Sequence, residues 1–394
     1  MPRSTDQFWK AAEDWSRRKH LILSYYLTPA APKLRTQNPD RRVFILDGFA
    51  GRGKYDDGSL GSPLYMGQLS DQCRGWKSPV ELTIINIEPD TDSFRDLDSC
   101  TKQWVDKGYI INRQGTFQQY LPVILTQIGA APLFVFLDPF RPSHLSFDDI
   151  VPLLKRTAPT EVCIVFHTPA VMRMLDAIRP TARTPGKTKV GLAESLDNVF
   201  GSGRWKSLIS AQATTPDEII SCLADEVKTR VRWGSLYICW HGIQARYGVG
   251  LKYHIVFLTR HPDGVRLMND AFVKEQRVVY ETTTPTKTLR LDLGFEDEDT
   301  RPVVERTEVE RLQSLCDTLV AIGQESPGKT WRRSDLAFES ISRRFGDFSQ
   351  TEHRKAIDIL LHRQSAPKLV ATNVQAKKTG RIVTNESTEL HFLL

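Results

Sequence analysis

Up to Phe166 the chain alternates short apolar runs with stretches of helical periodicity, and this rhythm limits the possible folds more than any other feature. The runs are Val43–Leu46, Leu82–Ile87, Tyr109–Ile111, Leu133–Leu137 and Val162–Phe166. Each is β-branched or aromatic and too short for an ordinary helix. Between them, stretches such as Phe94 to Val105 and Phe117 to Ile128 space their apolar residues as amphipathic helices do. Strands that read as continuous apolar runs are buried on both faces. Their alternation with helices therefore predicts βαβ units and a parallel sheet covered by helices. Right-handed crossovers leave few topologies open. The expected class is α/β.

The remaining chain is read from its breaks. Phe8 to Leu27 carries Phe8, Ala11, Ala12, Trp15, Leu21, Leu23, Tyr25 and Leu27 at helical spacing. One helix, or two short ones, is expected there, broken by Pro29, Pro32 and the polar stretch through Arg42. Beyond Phe166, the Thr-, Pro- and base-rich stretch Ala177 to Lys189 reads as an exposed loop or an insertion. A helix is expected at Asp217 to Arg232, strands at Ser235 to Ile243 and Leu251 to Thr259, and a helix at Val265 to Glu275. The acidic run Glu296–Asp299 marks a boundary. This gives an N-terminal helical segment (1–42), a sheet domain (43–295) and a C-terminal domain (300–394). The last of these reads as helices at Val303–Ile322, Arg333–Phe345 and Gln350–Arg363, then a hairpin from Lys368–Val374 and Gly380–Thr384. Three helices closed by a hairpin is the order of a winged helix.

Composition excludes several classes. The 394 residues are 40% hydrophobic and 25% charged, ordinary for a globular protein. No apolar run reaches the roughly 18 to 20 residues of a membrane span. The N-terminus lacks the apolar stretch of a secretory signal, so a cytoplasmic location is expected. The six cysteines are scattered without a Cys-x-x-Cys pair, and the nine histidines make no His-x-x-x-His pair. Neither a disulfide framework nor a metal site is expected. The net charge of +6 does not by itself announce a nucleic-acid partner.

The first expected strand runs into Asp47-Gly48-Phe49-Ala50-Gly51-Arg52-Gly53-Lys54-Tyr55. Glycines here let the chain turn sharply and bring backbone close to a ligand. The second strand ends at Glu88, where an acid can accept hydrogen bonds from both hydroxyls of a ribose. Candidate cofactor residues are Asp47, Phe49, Ala50, Gly51, Gly53 and Glu88. Thr116 and Phe117, at the end of the third strand, would meet a base, or would simply cap and anchor the next helix. A dinucleotide fingerprint wants a third glycine three residues after Gly53, where Asp56 stands. Its absence favours S-adenosylmethionine over NAD. At the end of the fourth strand, Asp138, Pro139 and Phe140 form the candidate catalytic set. The carboxylate and the Pro139 carbonyl would accept from an exocyclic amine, and Phe140 would stack on its ring. The alternative for Asp138 is a helix cap.

These residues carry a resemblance. Asp47 to Tyr55, Gly61-Ser62-Pro63-Leu64 and Leu137-Asp138-Pro139-Phe140 resemble the three-Cys-motif partner protein (TcmP) family. So do Trp15, Lys19-His20, Tyr25, Phe200-Gly201, Trp205 and Tyr253 to Gly264. The resemblance covers roughly residues 8 to 280. It implies a Rossmann-like class I methyltransferase sheet and a partner that is a radical-S-adenosylmethionine-like protein with three cysteines. The loop and the Asp-Pro-Phe are also similar to those of amino-methyltransferases of DNA and RNA. Their second proline is missing here, where Arg141-Pro142 follow the aromatic residue.

From Lys329 to Leu394 twelve basic residues face seven acidic ones. Arg354, Lys377, Lys378 and Arg381 are the candidate nucleic-acid contacts, the last three at the expected wing tip. Arg173, Arg179, Arg183, Lys187 and Lys189 add a basic stretch that suits an anionic substrate. The expected function is therefore S-adenosylmethionine-dependent N-methylation of a nucleic-acid base amine. The alternatives are a non-catalytic accessory partner and, more weakly, a small-molecule methyltransferase.

Overall fold

A computed structural model describes residues 10, 13–38, 40–210, 214–231, 235–246, 249–283, 301–372 and 384–394. The chain forms two compact units, Met1–Gly264 and Val265–Leu394.

The first unit opens with helix α1 (Asp14–Arg35) and continues through β1 (Arg42–Asp47), α2 (Ser62–Arg74), β2 (Glu81–Glu88), α3 (Thr91–Val105), β3 (Ile110–Gln114), α4 (Phe117–Ile128) and β4 (Leu133–Leu137). After a 3-10 turn at Pro142–His144 come α5 (Phe147–Lys155), β5 (Thr160–Phe166), α6 (Thr168–Ile178) and α7 (Gly186–Phe200). A second 3-10 turn (Gly203–Trp205) leads to the short α8 (Lys206–Ser210), α9 (Pro216–Arg230), β6 (Tyr237–Arg246) and β7 (Val249–Thr259). The sheet order is β3-β2-β1-β4-β5-β7-β6. Strands β1 to β5 are parallel, and β7 lies antiparallel between β5 and β6. This is a mixed α/β, Rossmann-like sheet whose order reverses between β1 and β4, the place where such sheets open a crevice.

The strands form where the apolar runs predict them. Every residue of β4 and β5 is buried, as helices on both faces require. Local signals fix several helix starts. Thr116 with Gln119, Ser146 with Asp149, and Thr215 with Glu218 form capping boxes that satisfy the first free amides of α4, α5 and α9.

Two expectations about helices are corrected. Pro29 and Pro32 do not end α1, which runs on to Arg35. Each proline removes one intrahelical bond, but Tyr26, Leu27, Ala30, Ala31 and Leu34 are buried along the same face, and that burial offsets the loss. The Tyr26 hydroxyl also donates to the buried Glu161 carboxylate on β5, whose other oxygen accepts from Thr259 Oγ1 at 3.0 Å. The stretch Ala177 to Lys189 is not one loop. Helix α6 extends to Ile178 and α7 begins at Gly186, so only a short connection is irregular.

The second unit contains α10 (Pro262–Thr283, from Val265), α11 (Arg301–Glu325), β8 (Trp331–Arg332), α12 (Arg333–Arg343), α13 (Gln350–His362), β9 (Lys368–Ala371) and β10 (Glu389–Leu393). The short strands form an antiparallel sheet in the order β8-β10-β9. Its core gathers Leu315, Leu319, Trp331, Leu336, Phe348, Ile357, Leu360, Leu369 and Leu390. The last strand lies beyond the expected Gly380–Thr384. Residues 373–383 fall outside the described chain, and with them Lys377, Lys378 and Arg381. No described helix is long and apolar enough to cross a membrane.

Candidate functional site

Parallel register brings the carboxyl ends of β1, β2 and β4 to one edge of the sheet. A cavity of about 1150 Å³ opens there, lined entirely by the first unit. That is at or above the top of the roughly 300–1,000 Å³ range of small-molecule sites, enough for a cofactor and a second molecule.

The loop after β1 forms one wall. Phe49, Ala50 and Gly51 line the cavity, but Asp47 and Gly53 lie behind it and shape it. The Asp47 side chain is wholly buried and accepts from Ser62 Oγ at 2.6 Å and from the Phe49 amide at 3.1 Å. Burial pushes its pKa up to about 7, against the pull of those two hydrogen bonds. Gly48 has no room for a side chain, since a Cβ would come 2.7 Å from Leu137 and 2.9 Å from Phe117. Gly53 has φ +77°, and its carbonyl accepts from the Gly61 amide at 2.8 Å, which closes the loop at its base. A Cβ on Gly61 would meet that same carbonyl at 2.8 Å.

Glu88 lines the next part of the cavity. One carboxylate oxygen accepts from the Gly51 amide and the other from the Asp90 amide, both at 2.8 Å. Burial raises its pKa and the two amides oppose the rise. Each oxygen keeps a second acceptor site, as a ribose diol requires. Thr116 and Phe117 follow. Thr116 is the N-cap of α4, and the Phe117 ring is buried with its centroid 6.2 Å from that of Phe49. Both residues still line the cavity, so the capping role and the lining role coexist.

At the end of β4, Asp138, Pro139 and Phe140 all line the cavity. Asp138 caps no helix. Its Oδ2 is ion-paired with Lys19 of α1, whose side chain is only 9% exposed. The Pro139 carbonyl accepts from His167 Nε2 at 3.0 Å, and because a carbonyl can only accept, Nε2 carries the hydrogen. Burial lowers the His167 pKa, which favours the neutral ring. Phe140 is 57% exposed.

Sequence reasoning on site chemistry left out a second layer. Trp15, Lys19 and His20 from α1, His167 after β5 and Tyr253 on β7 complete the wall. Tyr253 donates to the Trp15 carbonyl at 2.5 Å. His20 is buried, with its pKa lowered to about 3 by burial and by Lys19, and its Nδ1 has no hydrogen-bond partner among the described residues. Among these, Trp15, Lys19, His20 and Tyr253 belong to the motifs of the family resemblance, which was the available signal. Of the basic stretch, only Arg173 lines the cavity. Arg179 is turned to Asp176, the Ile209 carbonyl and Thr214. In the second unit Arg354 pairs with Glu386 at 2.7 Å.

No family model and no curated protein matches the chain. Among solved structures, an O-methyltransferase from Bacillus cereus in complex with SAH is similar at 11% identity and a TM-score of 0.33, over 64% of this chain and 84% of that one. The O-methyltransferase TomG from Streptomyces achromogenes, involved in tomaymycin synthesis and in complex with SAM, is similar at 11% identity and a TM-score of 0.31, over 65% and 94%. Both likenesses are distant.

Proposed function

We propose that the chain is an S-adenosylmethionine-dependent methyltransferase acting on an amine of a nucleic-acid base. The observation that carries this reading is one cavity lined by Glu88, the Phe49–Gly51 loop and Asp138. Glu88 keeps acceptor sites for a ribose diol, the close-packed loop gives backbone access, and the buried Phe117 ring backs the partly exposed Phe49 on the cavity wall. S-adenosylmethionine would supply an electrophilic methyl group at the sulfonium. Asp138 would hold the acceptor. Its Oδ2 is committed to Lys19, and Oδ1 has no partner among the described residues, so it can accept one amine hydrogen. The second lone pair of the Pro139 carbonyl can accept the other. Orientation of the amine toward the methyl group is then the main contribution of these residues. The order α11–β8–α12–α13–β9–β10 supports a winged-helix-like second unit, suited to a nucleic-acid partner.

Calorimetry with S-adenosylhomocysteine, followed by transfer of labelled methyl from S-adenosylmethionine to total nucleic acid, tests the reading. Binding is expected, and Asp138→Ala is expected to lose transfer while keeping binding. Equal labelling by wild type and Asp138→Ala removes Asp138 from the site, and no cofactor binding removes the function.

A second reading has its own support. Both acceptor groups already have an internal partner, Lys19 for Asp138 and His167 for Pro139. A non-catalytic accessory protein, working with a radical-S-adenosylmethionine-like three-Cys-motif partner, would keep such a closed arrangement. Cofactor binding without transfer, together with co-purification of that partner, would favour it.

A further inference from the structure

The charged lining of the cavity is mixed. It carries the carboxylates Glu88, Asp90 and Asp138 and the cations Lys19, Arg141, Arg173 and Lys252. Lys19 already neutralises that carboxylate. Arg141 and Arg173 differ from the other cations in that neither guanidinium has a hydrogen bond or ion pair among the described residues. Arg179 shows the contrast, bonded to Asp176, the Ile209 carbonyl and Thr214.

Both arginines are held by defined backbone. Arg141 stands in extended conformation immediately before the Pro142–His144 turn. Arg173 lies on α6 at the same helical face as Ala170, and both line the cavity. Phe140 presents an exposed ring next to Arg141. Guanidinium forks favour phosphate, and an exposed ring favours a planar base. A nucleotide carries both.

We propose that Arg141 and Arg173 form a phosphate clamp for the acceptor, gripping a phosphate next to the base whose amine reaches Asp138. The clamp deepens the methyl-transfer reading and rests on it for the identity of the reaction. The phosphate belongs either to a nucleic-acid strand or to a free mononucleotide, and the two sources are separable.

The full chain, saturated with S-adenosylhomocysteine, is titrated with nucleoside monophosphates and with a short single-stranded oligonucleotide at low and moderate salt. Wild type is compared with Arg141→Gln/Arg173→Gln. The double variant is expected to bind at least about tenfold more weakly and with a shallower salt dependence, while its affinity for S-adenosylhomocysteine stays unchanged. Loss for the mononucleotide identifies free nucleotide as a sufficient ligand, and loss for the oligonucleotide alone identifies a strand. The clamp is overturned if both probes bind the double variant as well as wild type, or if neither binds wild type. Failure of S-adenosylhomocysteine to bind wild type would instead overturn the methyl-transfer reading, and the probes can still be titrated without it.

Discussion

Asp47 couples the glycine loop to pH. Its folded pKa of about 7 lies above the ordinary carboxylate value because burial disfavours the charge. A raised folded pKa means stability that is complete below the unfolded value, near 4, and lost as pH rises through about 7. Thermal unfolding of Asp47→Asn and wild type at pH 5 to 8 checks this. The variant is expected to gain relative to wild type as pH rises, at up to roughly 1.4 kcal/mol per unit. Lys19 makes a different prediction. Lys19→Met leaves the Asp138 carboxylate without its partner in a mostly buried site, which is expected to cost about 2 kcal/mol by denaturant unfolding. Lys19→Met/Asp138→Asn should recover part of that loss, because the stranded charge is gone. Gly48→Ala brings a methyl against Leu137 and Phe117, with an expected cost of about 1–3 kcal/mol and weaker binding of S-adenosylhomocysteine.

At the scale of elements, α1 is tied to the sheet by Tyr26, Glu161 and Thr259, all buried. Tyr26→Phe removes the hydroxyl and leaves part of a buried carboxyl unsatisfied, at an expected cost of about 1–3 kcal/mol in chemical denaturation. The same helix shows what a sequence discloses. Strands β1, β2, β4 and β5 were legible because a strand buried on both faces must be apolar at nearly every position, whereas the edge strand β3 showed only Ile110 and Ile111. The loop at Gly48–Gly53 and the acids at 88 and 138 were legible because strand ends place them on one edge. The length of α1 was not, since Pro29 and Pro32 state a local cost and say nothing of the buried face that outweighs it. Lys19 and Asp138 are 119 residues apart, and no periodicity announces their pairing. The same holds for His167 and the Pro139 carbonyl. Strand β8 escaped notice because two residues carry no pattern.

At the scale of the molecule, each compact unit has a core of its own, one over the sheet and one among α11, α13 and the small sheet. The basic surplus of residues 329–394, twelve basic against seven acidic, predicts a contribution to nucleic-acid affinity that is separate from the cavity. Alanine at Lys377, Lys378 and Arg381 together is expected to weaken oligonucleotide binding across all sequences. It should also flatten the salt dependence by about one unit of slope for each phosphate that is no longer neutralised. Affinity for S-adenosylhomocysteine should not change, and an altered value would tie these three residues to the cofactor. The pinch between Gly53 and Gly61 has a practical side for experiments on the whole chain. Because the amide of Gly61 and the Lys54–Leu60 bridge close the segment at its base, Asp56, Asp57 and Gly58 form an exposed tip anchored independently of its own length. A short peptide handle inserted beside Gly58, rather than a side chain at that position's φ of +85°, would leave this closure intact and stand a few residues from Tyr55, which lines the cavity.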